Sequence, residues 1–463
     1  MVSVRLLLVG VLALALAAPL CAMSQPLAWS PAERAAARAV LSKAQTPARP
    51  FQDDAGLTQD IVQLAQTELG QRLAPSAFDR LWAIVPPRHE VATELATARA
   101  EGRLDAWLQA LSPPYPEYQA LQAAARRYRL LAAQGGWPSL PPGVPLKVAD
   151  RGEAVSTLRG RLSLEGYAAP SPDPAMFDPK LAEALALYQA DRALPVTRRL
   201  DPATRAALDL PAASRLATLE ANLERWRWLP HERPATRFEL DIAAAEGRLI
   251  VDGATSLQMR AVVGDLKHKT PMFISALTSV VFDPPWNVPS TIAEEEILPK
   301  AARDPGYLAR NDFVMIDGRV QQLPGPKNAL GAVKFDLPSP FGVYLHDTPA
   351  KSLFARSQRA LSHGCMRLEK PQALAEALLA PQGWTGEAVS AALAAGHTQA
   401  TPLRRPTPLE VVYWTATVSP EGRVQFRPDV YGWDRELLAA LANVTAIPTF
   451  PGQAPTACDR VDD

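Results

Sequence analysis

The spacing of apolar residues changes once along the chain, from a helical period to an alternating one. From residue 25 to about 145, apolar positions recur every three or four residues, as in Ile61–Leu69, which is typical of amphipathic helices. Ser30-Pro31-Ala32-Glu33 is a capping box with proline in the first turn, and it predicts a helix through Lys43. Another helix is predicted from Glu117 to Gln134. We therefore expect a helical scaffold domain over residues 25–145.

A shorter helical pattern follows over residues 146–210. Val155, Leu158 and Leu162 lie at helical spacing, and Asp178 and Asp201 each stand where the N-cap of a further helix is expected. This stretch predicts a compact three-helix domain, followed by a helical linker over residues 211–237. We expect the two tryptophans of that linker, at positions 226 and 228, to pack inside the protein.

From residue 238 the apolar residues alternate with polar ones in short runs, which predicts strands. The predicted strands are Phe238–Ile242, Arg248–Val251, Gln258–Val263, Ser279–Phe282, Phe313–Ile316, Val343–His346, and a hairpin of Glu410–Val418 and Arg423–Arg427. A helical stretch at Ile292–Leu298 indicates an insertion over the sheet, at about residues 285–330. The predicted fold class is multidomain α+β, with a mostly β domain over residues 238–450 and a flexible tail over 451–463.

Composition and charge reduce the number of possible functions. The chain has 48 Lys and Arg against 48 Asp and Glu, so no basic excess supports binding to nucleic acid. An uncharged apolar run from Leu6 to Leu20 follows Arg5 and predicts an export signal peptide over residues 1–24. An uncleaved membrane anchor and a lipid anchor on Cys21 are the alternatives. Beyond the signal peptide, Cys365 and Cys458 remain.

A lone thiol in an exported protein is a candidate nucleophile, although a disulfide between these two cysteines is an alternative. Two of the six histidines, His346 and His363, lie close before Cys365 in the sequence. Gly364 permits a tight turn that leaves the Cys365 amide free to stabilise an oxyanion. These residues predict a Cys/His acyl-transfer site. A zinc site formed by His346, His363 and Cys365, and purely structural histidines, are the alternatives.

The motif Ser362-His363-Gly364-Cys365-Met366-Arg367, preceded by His346 on a strand, resembles the active-site pattern of the L,D-transpeptidase (YkuD) family. Residues 146–210 are similar to a small peptidoglycan-binding domain. Further blocks resemble the YcbB-like murein L,D-transpeptidases of this family: Asn222–Pro230, Pro285–Pro289, Pro324–Gly331 and Phe426–Tyr431.

The resemblance implies a periplasmic enzyme that joins peptidoglycan stem peptides by 3-3 cross-links through a cysteine thioester, without metal or cofactor. Cys365 would be the nucleophile and His346 its general base. The backbone carbonyl of Asp347 would orient the imidazole, amides at Gly364 and Cys365 would form the oxyanion hole, and His363 would orient the loop or contact substrate.

For substrate binding, the resemblance implies Arg367, Trp286, Tyr344 and Ser362, with Arg367 holding a substrate carboxylate. Peptidoglycan glycan, carbapenem-type β-lactams as inhibitors, and other wall synthases are the implied partners. Three alternatives stay open: an L,D-carboxypeptidase, an enzyme that anchors or releases lipoproteins, and a non-catalytic wall-binding scaffold.

Overall fold

The computed structural model describes residues 28–44, 53–73, 80–143 and 145–444. The predicted signal peptide, Cys21, Cys458 and the predicted tail lie outside the described residues. The chain divides into two compact units, one of residues up to 65 with 91–108, and one of residues 66–90 with 109 onward. In the described ranges, no helix is long and apolar enough to cross a membrane.

The first unit is helical. It holds α1 (Pro31–Lys43), α3 (Val91–Ala100) and most of α2 (Asp54–Glu68) and α4 (Leu104–Ala110). The predicted capping box is present, because the Glu33 N–H donates to Ser30 Oγ at 3.2 Å and the Ser30 N–H donates to Glu33 Oε2 at 2.7 Å. Arg99 also binds Glu33, with Nε 3.0 Å from Oε1. These bonds tie the start of α1 to α3.

The second unit begins with further helices. They are α5 (Pro116–Ala133), α6 (Glu153–Leu164), α7 (Pro179–Asp191), α8 (Pro202–Asp209) and α9 (Ala212–Arg227). Asp178 and Asp201 cap α7 and α8, accepting from the amides of Leu181 and Thr204, each at 2.8 Å. Helices α6 to α8 enclose a core of their own, as the three-helix prediction requires.

The remainder is mostly β. Its strands are β1 (Arg237–Asp241), β2 (Glu246–Val251), β3 (Ala254–Gly264), β4 (Phe273–Phe282), β5 (Trp286–Asn287), β6 (Phe313–Ile316), β7 (Arg319–Gln322), β8 (Val333–Asp336), β9 (Leu345–His346), β10 (Ala360–Ser362), β11 (Met366–Leu368), β12 (Gln399–Val412), β13 (Ala416–Val418) and β14 (Val424–Phe426). The main sheet has the order β10-β3-β11-β9-β8-β4-β12-β1-β2 and closes on itself because β2 also pairs with β3.

Helices and tryptophans cover this sheet. The helices are α13 (Pro371–Leu379), α14 (Gly386–Ala394) and α15 (Trp433–Ala442), with short 3₁₀ turns at Lys351–Ala355 and Ala380–Gln382. Trp226 and Trp228 are buried, as expected, and Trp226 stacks on Trp414 with ring centroids 4.5 Å apart. The fold is therefore a multidomain α+β fold with helical units before a mostly β domain.

The predicted insertion forms a small body beside the main sheet. It contains β5, α10 (Ser290–Ile292), a π turn over Ala293–Ile297, α11 (Leu298–Arg303), α12 (Tyr307–Arg310), β6 and β7. Strands β5, β7 and β6 form a separate sheet, and the insertion has its own apolar core. The predicted strand Glu410–Val418 is interrupted, because β12 ends at Val412 and β13 begins at Ala416 to form the hairpin with β14.

Candidate active site

Three adjacent strands build a polar face on the main sheet. β9 lies between β8 and β11, with His346 opposite Lys334 on one side and opposite Arg367 on the other. Side chains alternate along a strand, so these three share one face, while the apolar residues between them are turned to the core. Those buried residues are Val333, Phe335, Leu345, Met366 and Leu368. The alternation therefore separates a charged face from the hydrophobic core.

Cys365 lies directly before β11, beside Tyr344, which lies directly before β9. The Met366 N–H donates to the Tyr344 carbonyl at 3.0 Å, which fixes the two segments together. Burial raises the pKa of the Cys365 thiol, although hydrogen bonds from the Tyr344 backbone and hydroxyl and the charge of Arg367 oppose this rise. The Trp286 side chain hydrogen-bonds to the Tyr344 hydroxyl. Tyr344 thus touches the sulfur directly.

His346 is buried, with 4% of its surface exposed. Burial lowers its pKa to about 3, and the charges of Arg367 and Lys334 act in the same direction, while backbone groups of Asp347 and Leu330 oppose them. Among the described residues, His346 Nδ1 has no hydrogen bond of good geometry. The imidazole is therefore neutral at neutral pH, which is the form that accepts a proton.

Hydrogen bonds hold the loop that carries the cysteine. The buried Ser362 hydroxyl donates to the Cys365 carbonyl at 2.6 Å and accepts from the Gly364 N–H at 3.2 Å. Thr270 Oγ1 donates to the Gly364 carbonyl at 2.8 Å. Gly364 has φ +101°, a conformation that other residues rarely adopt.

This geometry bears on two predicted roles. The Ser362 hydroxyl is buried and makes two hydrogen bonds inside the loop, and its contact with substrate stays a prediction. The Gly364 amide already donates to Ser362, which leaves the Cys365 amide as the candidate oxyanion donor. In the part of the chain that the structure describes, the Cys365 N–H has no hydrogen-bond acceptor.

Asp347 and Arg367 flank the imidazole differently. The Asp347 carboxylate accepts from the Ala332 N–H at 3.0 Å and pairs with Lys351, so any role toward His346 falls to its backbone. Arg367 is partly exposed on the polar face, whereas its Nε is buried and has no hydrogen-bond partner among the described residues. Its predicted binding of a substrate carboxylate stays a prediction.

His363 contacts the insertion and the loop between β3 and β4. Its Nε2 lies 2.8 Å from Glu296 Oε1, and its ring centroid lies 4.7 Å from that of His268. Cys365 is a free thiol. Within the described ranges, no three His, Cys, Asp or Glu side chains are grouped so that they could hold a metal ion.

Sequence reasoning missed Glu296, His268, Thr270 and Lys334. The sequence carries no local signal for the first three, because each meets the cysteine loop only through tertiary packing. Lys334 had a usable signal, since it is the one charged residue between two buried apolar residues, Val333 and Phe335.

Comparison with known proteins agrees with this site. Residues 236–396 match the model of the YkuD L,D-transpeptidase catalytic domain. Residues 25–124 match a scaffold domain, and residues 151–208 match a model described as "Putative peptidoglycan binding domain". A curated Haemophilus influenzae protein named "Putative L,D-transpeptidase" is 37% identical over 213 residues, which are 42% of this chain and 43% of that protein. The match thus spans less than half of that relative.

Solved structures of L,D-transpeptidases are more distant. An L,D-transpeptidase from Mycobacterium smegmatis is 17% identical, over 38% of this chain and 58% of that chain, with a TM-score of 0.21. The catalytic domain of an E. faecium L,D-transpeptidase acylated by ertapenem is 13% identical, over 39% and 98%, with a TM-score of 0.21. These scores are too low to establish a shared fold on their own. By its sequence matches, the chain carries a YkuD-family L,D-transpeptidase catalytic domain, preceded by scaffold and peptidoglycan-binding-type domains.

Proposed function

We propose that the protein is a peptidoglycan L,D-transpeptidase that forms 3-3 cross-links through a thioester on Cys365. The observation that carries this proposal is the partly buried Cys365 thiol, hydrogen-bonded by Tyr344 and placed on the same sheet face as the neutral base His346. Both residues lie in the segment that matches the L,D-transpeptidase catalytic domain.

In the first half-reaction, Cys365 Sγ attacks the carbonyl carbon of the third stem residue. The C–S bond forms, the C–N bond to the terminal D-alanine breaks, and His346 carries the thiol proton to the departing amine. In the second, the amine of an acceptor stem attacks the thioester, the C–S bond breaks, and His346 returns the amine proton to the sulfur.

The electrostatics favour proton transfer during attack over a standing ion pair. Burial raises the pKa of the thiol and lowers that of His346 to about 3, so both groups rest in their neutral forms. As the thiolate develops, the Tyr344 hydroxyl and the Arg367 charge stabilise it. The Cys365 N–H then serves the oxyanion of the tetrahedral intermediate.

Substrate recognition would use the polar face around this pair. Arg367 would bind a stem carboxylate, because its side chain is partly exposed on the polar face opposite His346. Trp286 and Tyr344 line the groove. The domain at residues 151–208 would contact peptidoglycan. Such a substrate places the enzyme outside the cytoplasm, with residues 1–24 as the export signal.

The test is intact-mass spectrometry of purified protein incubated with a carbapenem, whose ring carbonyl acylates an activated thiol. We expect an adduct of one drug mass on wild type and none on Cys365→Ala. Digestion of peptidoglycan stems incubated with the enzyme should then yield 3-3 linked products. An unmodified, folded wild-type protein, or cross-linking that survives in Cys365→Ala, would contradict the proposal.

A further inference from the structure

The insertion between β4 and β8 packs mainly on itself. Its helices contact one another and its strands β5, β7 and β6 pair together. Its apolar core contains Val288, Ala293, Ile297, Phe313 and Val320, separate from the core of the main sheet. The chain joins it to the main sheet at both ends. A body attached in this way can tilt unless a side-chain contact fixes it.

One such contact lies at the base of the insertion and one lies farther along it. At the base, the Trp286 side chain hydrogen-bonds to Tyr344, which touches the Cys365 thiol. Farther along, Glu296 Oε1 lies 2.8 Å from Nε2 of His363, two residues before the nucleophile. The insertion therefore contacts both segments that flank the sulfur.

A π turn places Glu296 at this contact. Pro299 has no N–H to continue a regular helix, and the residues before it, Ala293–Ile297, form the π turn. Such turns are rare in proteins overall, but those that occur are often found at functional sites. Ala293 and Ile297 fill the core of the insertion. Glu296 leaves that core toward His363, whereas Glu295 is exposed and forms no ion pair with any described residue.

We propose that Glu296 is a positioning residue of the active site, whose carboxylate holds the imidazole of His363 and so keeps the insertion closed over Cys365. This inference rests on the proposed function, because closure matters only if Cys365 is acylated. Closure would exclude water from the thioester and hold Trp286 on Tyr344. Glu296 acts through His363 and the insertion, without touching the reacting atoms.

The contact joins a carboxylate to an imidazole, so it is an ion pair only when His363 is protonated. The other groups near His363 are His268, whose ring centroid lies 4.7 Å away, and Asp265, whose Oδ1 lies 3.1 Å from His268 Nδ1. Lys267 and Lys269 flank His268 in the chain.

The experiment compares Glu296→Gln with Glu295→Gln, which removes an equal charge one residue away. Carbapenem acylation rates are measured by intact mass. A partly exposed ion pair corresponds to a change of about two- to five-fold. We expect Glu296→Gln to slow acylation by that factor and Glu295→Gln to match wild type. Amide hydrogen exchange in residues 290–303 should quicken in Glu296→Gln alone.

Two outcomes would overturn this inference. Glu296→Gln matching Glu295→Gln in both acylation rate and amide exchange would mean that the pair does not hold the insertion. Slower acylation with unchanged amide exchange in residues 290–303 would mean that Glu296 does not act by holding the insertion. If wild type forms no adduct, the proposed function fails, and the comparison of amide exchange still decides whether the contact between Glu296 and His363 holds the insertion.

Discussion

Single buried groups determine how the stability of this protein depends on pH, and His346 is the clearest case. Its folded-state pKa is about 3 because of burial, below the ordinary value of about 6.5 for a histidine. Between these values the unfolded chain binds the proton and the folded chain does not. His346 therefore leaves stability intact above about pH 6.5, and the free energy of unfolding falls by up to about 1.4 kcal/mol per pH unit below it.

We predict that His346→Gln reduces the fall in the free energy of unfolding below about pH 6.5. His397→Gln, at an exposed histidine, should leave that fall unchanged. The measurement is urea unfolding at a series of pH values, reported as the difference from wild type. The difference is needed because buried Asp241 acts oppositely: burial raises its pKa to about 7, so its contribution to stability falls as pH rises from about 4 to about 7. A parallel pH dependence in wild type and His346→Gln would contradict the prediction.

Substitution of Tyr344 tests whether its hydroxyl, which is hydrogen-bonded to the sulfur of Cys365, assists acylation. Tyr344→Phe keeps the ring, which lies edge-on to His346 with centroids 5.6 Å apart, and removes the hydrogen bonds of the hydroxyl to Cys365 and Trp286. Since hydrogen bonds to charged groups contribute about 1.5–3 kcal/mol, we expect acylation to slow about ten-fold or more with stability nearly unchanged. Tyr307→Phe, which removes a hydroxyl with no hydrogen bond to the described residues, is the control. Equal rates for the two variants would show that Tyr344 does not stabilise the thiolate.

At the scale of elements, the loop between β3 and β4 supports the cysteine loop through one buried side chain. Thr270 Oγ1 accepts from the Gly264 N–H and donates to the Gly364 carbonyl, each at 2.8 Å. Thr270→Val keeps the shape but leaves both buried backbone groups unpaired, at about 1–3 kcal/mol each. We expect loss of stability in urea and slower acylation. Thr270→Ser retains the hydroxyl and should recover most of both; failure to recover would mean that the hydroxyl is not what matters.

The helices and strands show which elements can be predicted from local sequence patterns and which cannot. Capped helices were predictable because the signal is local: Ser30, Asp178 and Asp201 each cap a helix as expected. Most of β12, from Gln399 to Leu409, was missed because Pro402 and Pro408 argue against a paired strand. The sheet accommodates them through a register shift between Pro402 and Thr407 in the pairing with β4. Such a compensation depends on the partner strand and cannot be seen locally.

Some residues of the site can be predicted from the sequence and others cannot. Cys365 and His346 stand out in the sequence because the chemistry needs those residue types near each other. The partner of His363 could not be predicted, because Glu296 reaches it only when the insertion is placed on the sheet. The two hydrogen bonds of the Ser362 hydroxyl inside the loop could not be predicted either, since a motif position does not reveal them.

At the scale of the second unit, a buried charge cluster joins the three-helix domain to the β hairpin β13–β14. Arg192 donates to the Val424 carbonyl at 2.8 Å and pairs with Glu165 at 2.7 Å. Arg423 from the hairpin pairs with Asp191 at 2.9 Å. Burial opposes ionisation of Glu165, yet the charge of Arg192, with that of a second arginine, holds its pKa below the ordinary value. Because charges this deep hold the domain in one position, we expect it to unfold together with the catalytic domain.

Arg192→Met tests this coupling. It leaves Glu165 buried with one fewer cation and the Val424 carbonyl unpaired, and removing one partner of a buried pair costs about 3–5 kcal/mol. Arg198→Met is the matched control, because its pair with Glu183 in the same domain is exposed and is worth about 0–1 kcal/mol. We expect urea unfolding of wild type to be one transition seen alike by tryptophan fluorescence and circular dichroism, and Arg192→Met to lower its midpoint or split it. Similar midpoints for the two variants would show that the cluster does not couple the domains; two transitions already in wild type would show that they unfold independently.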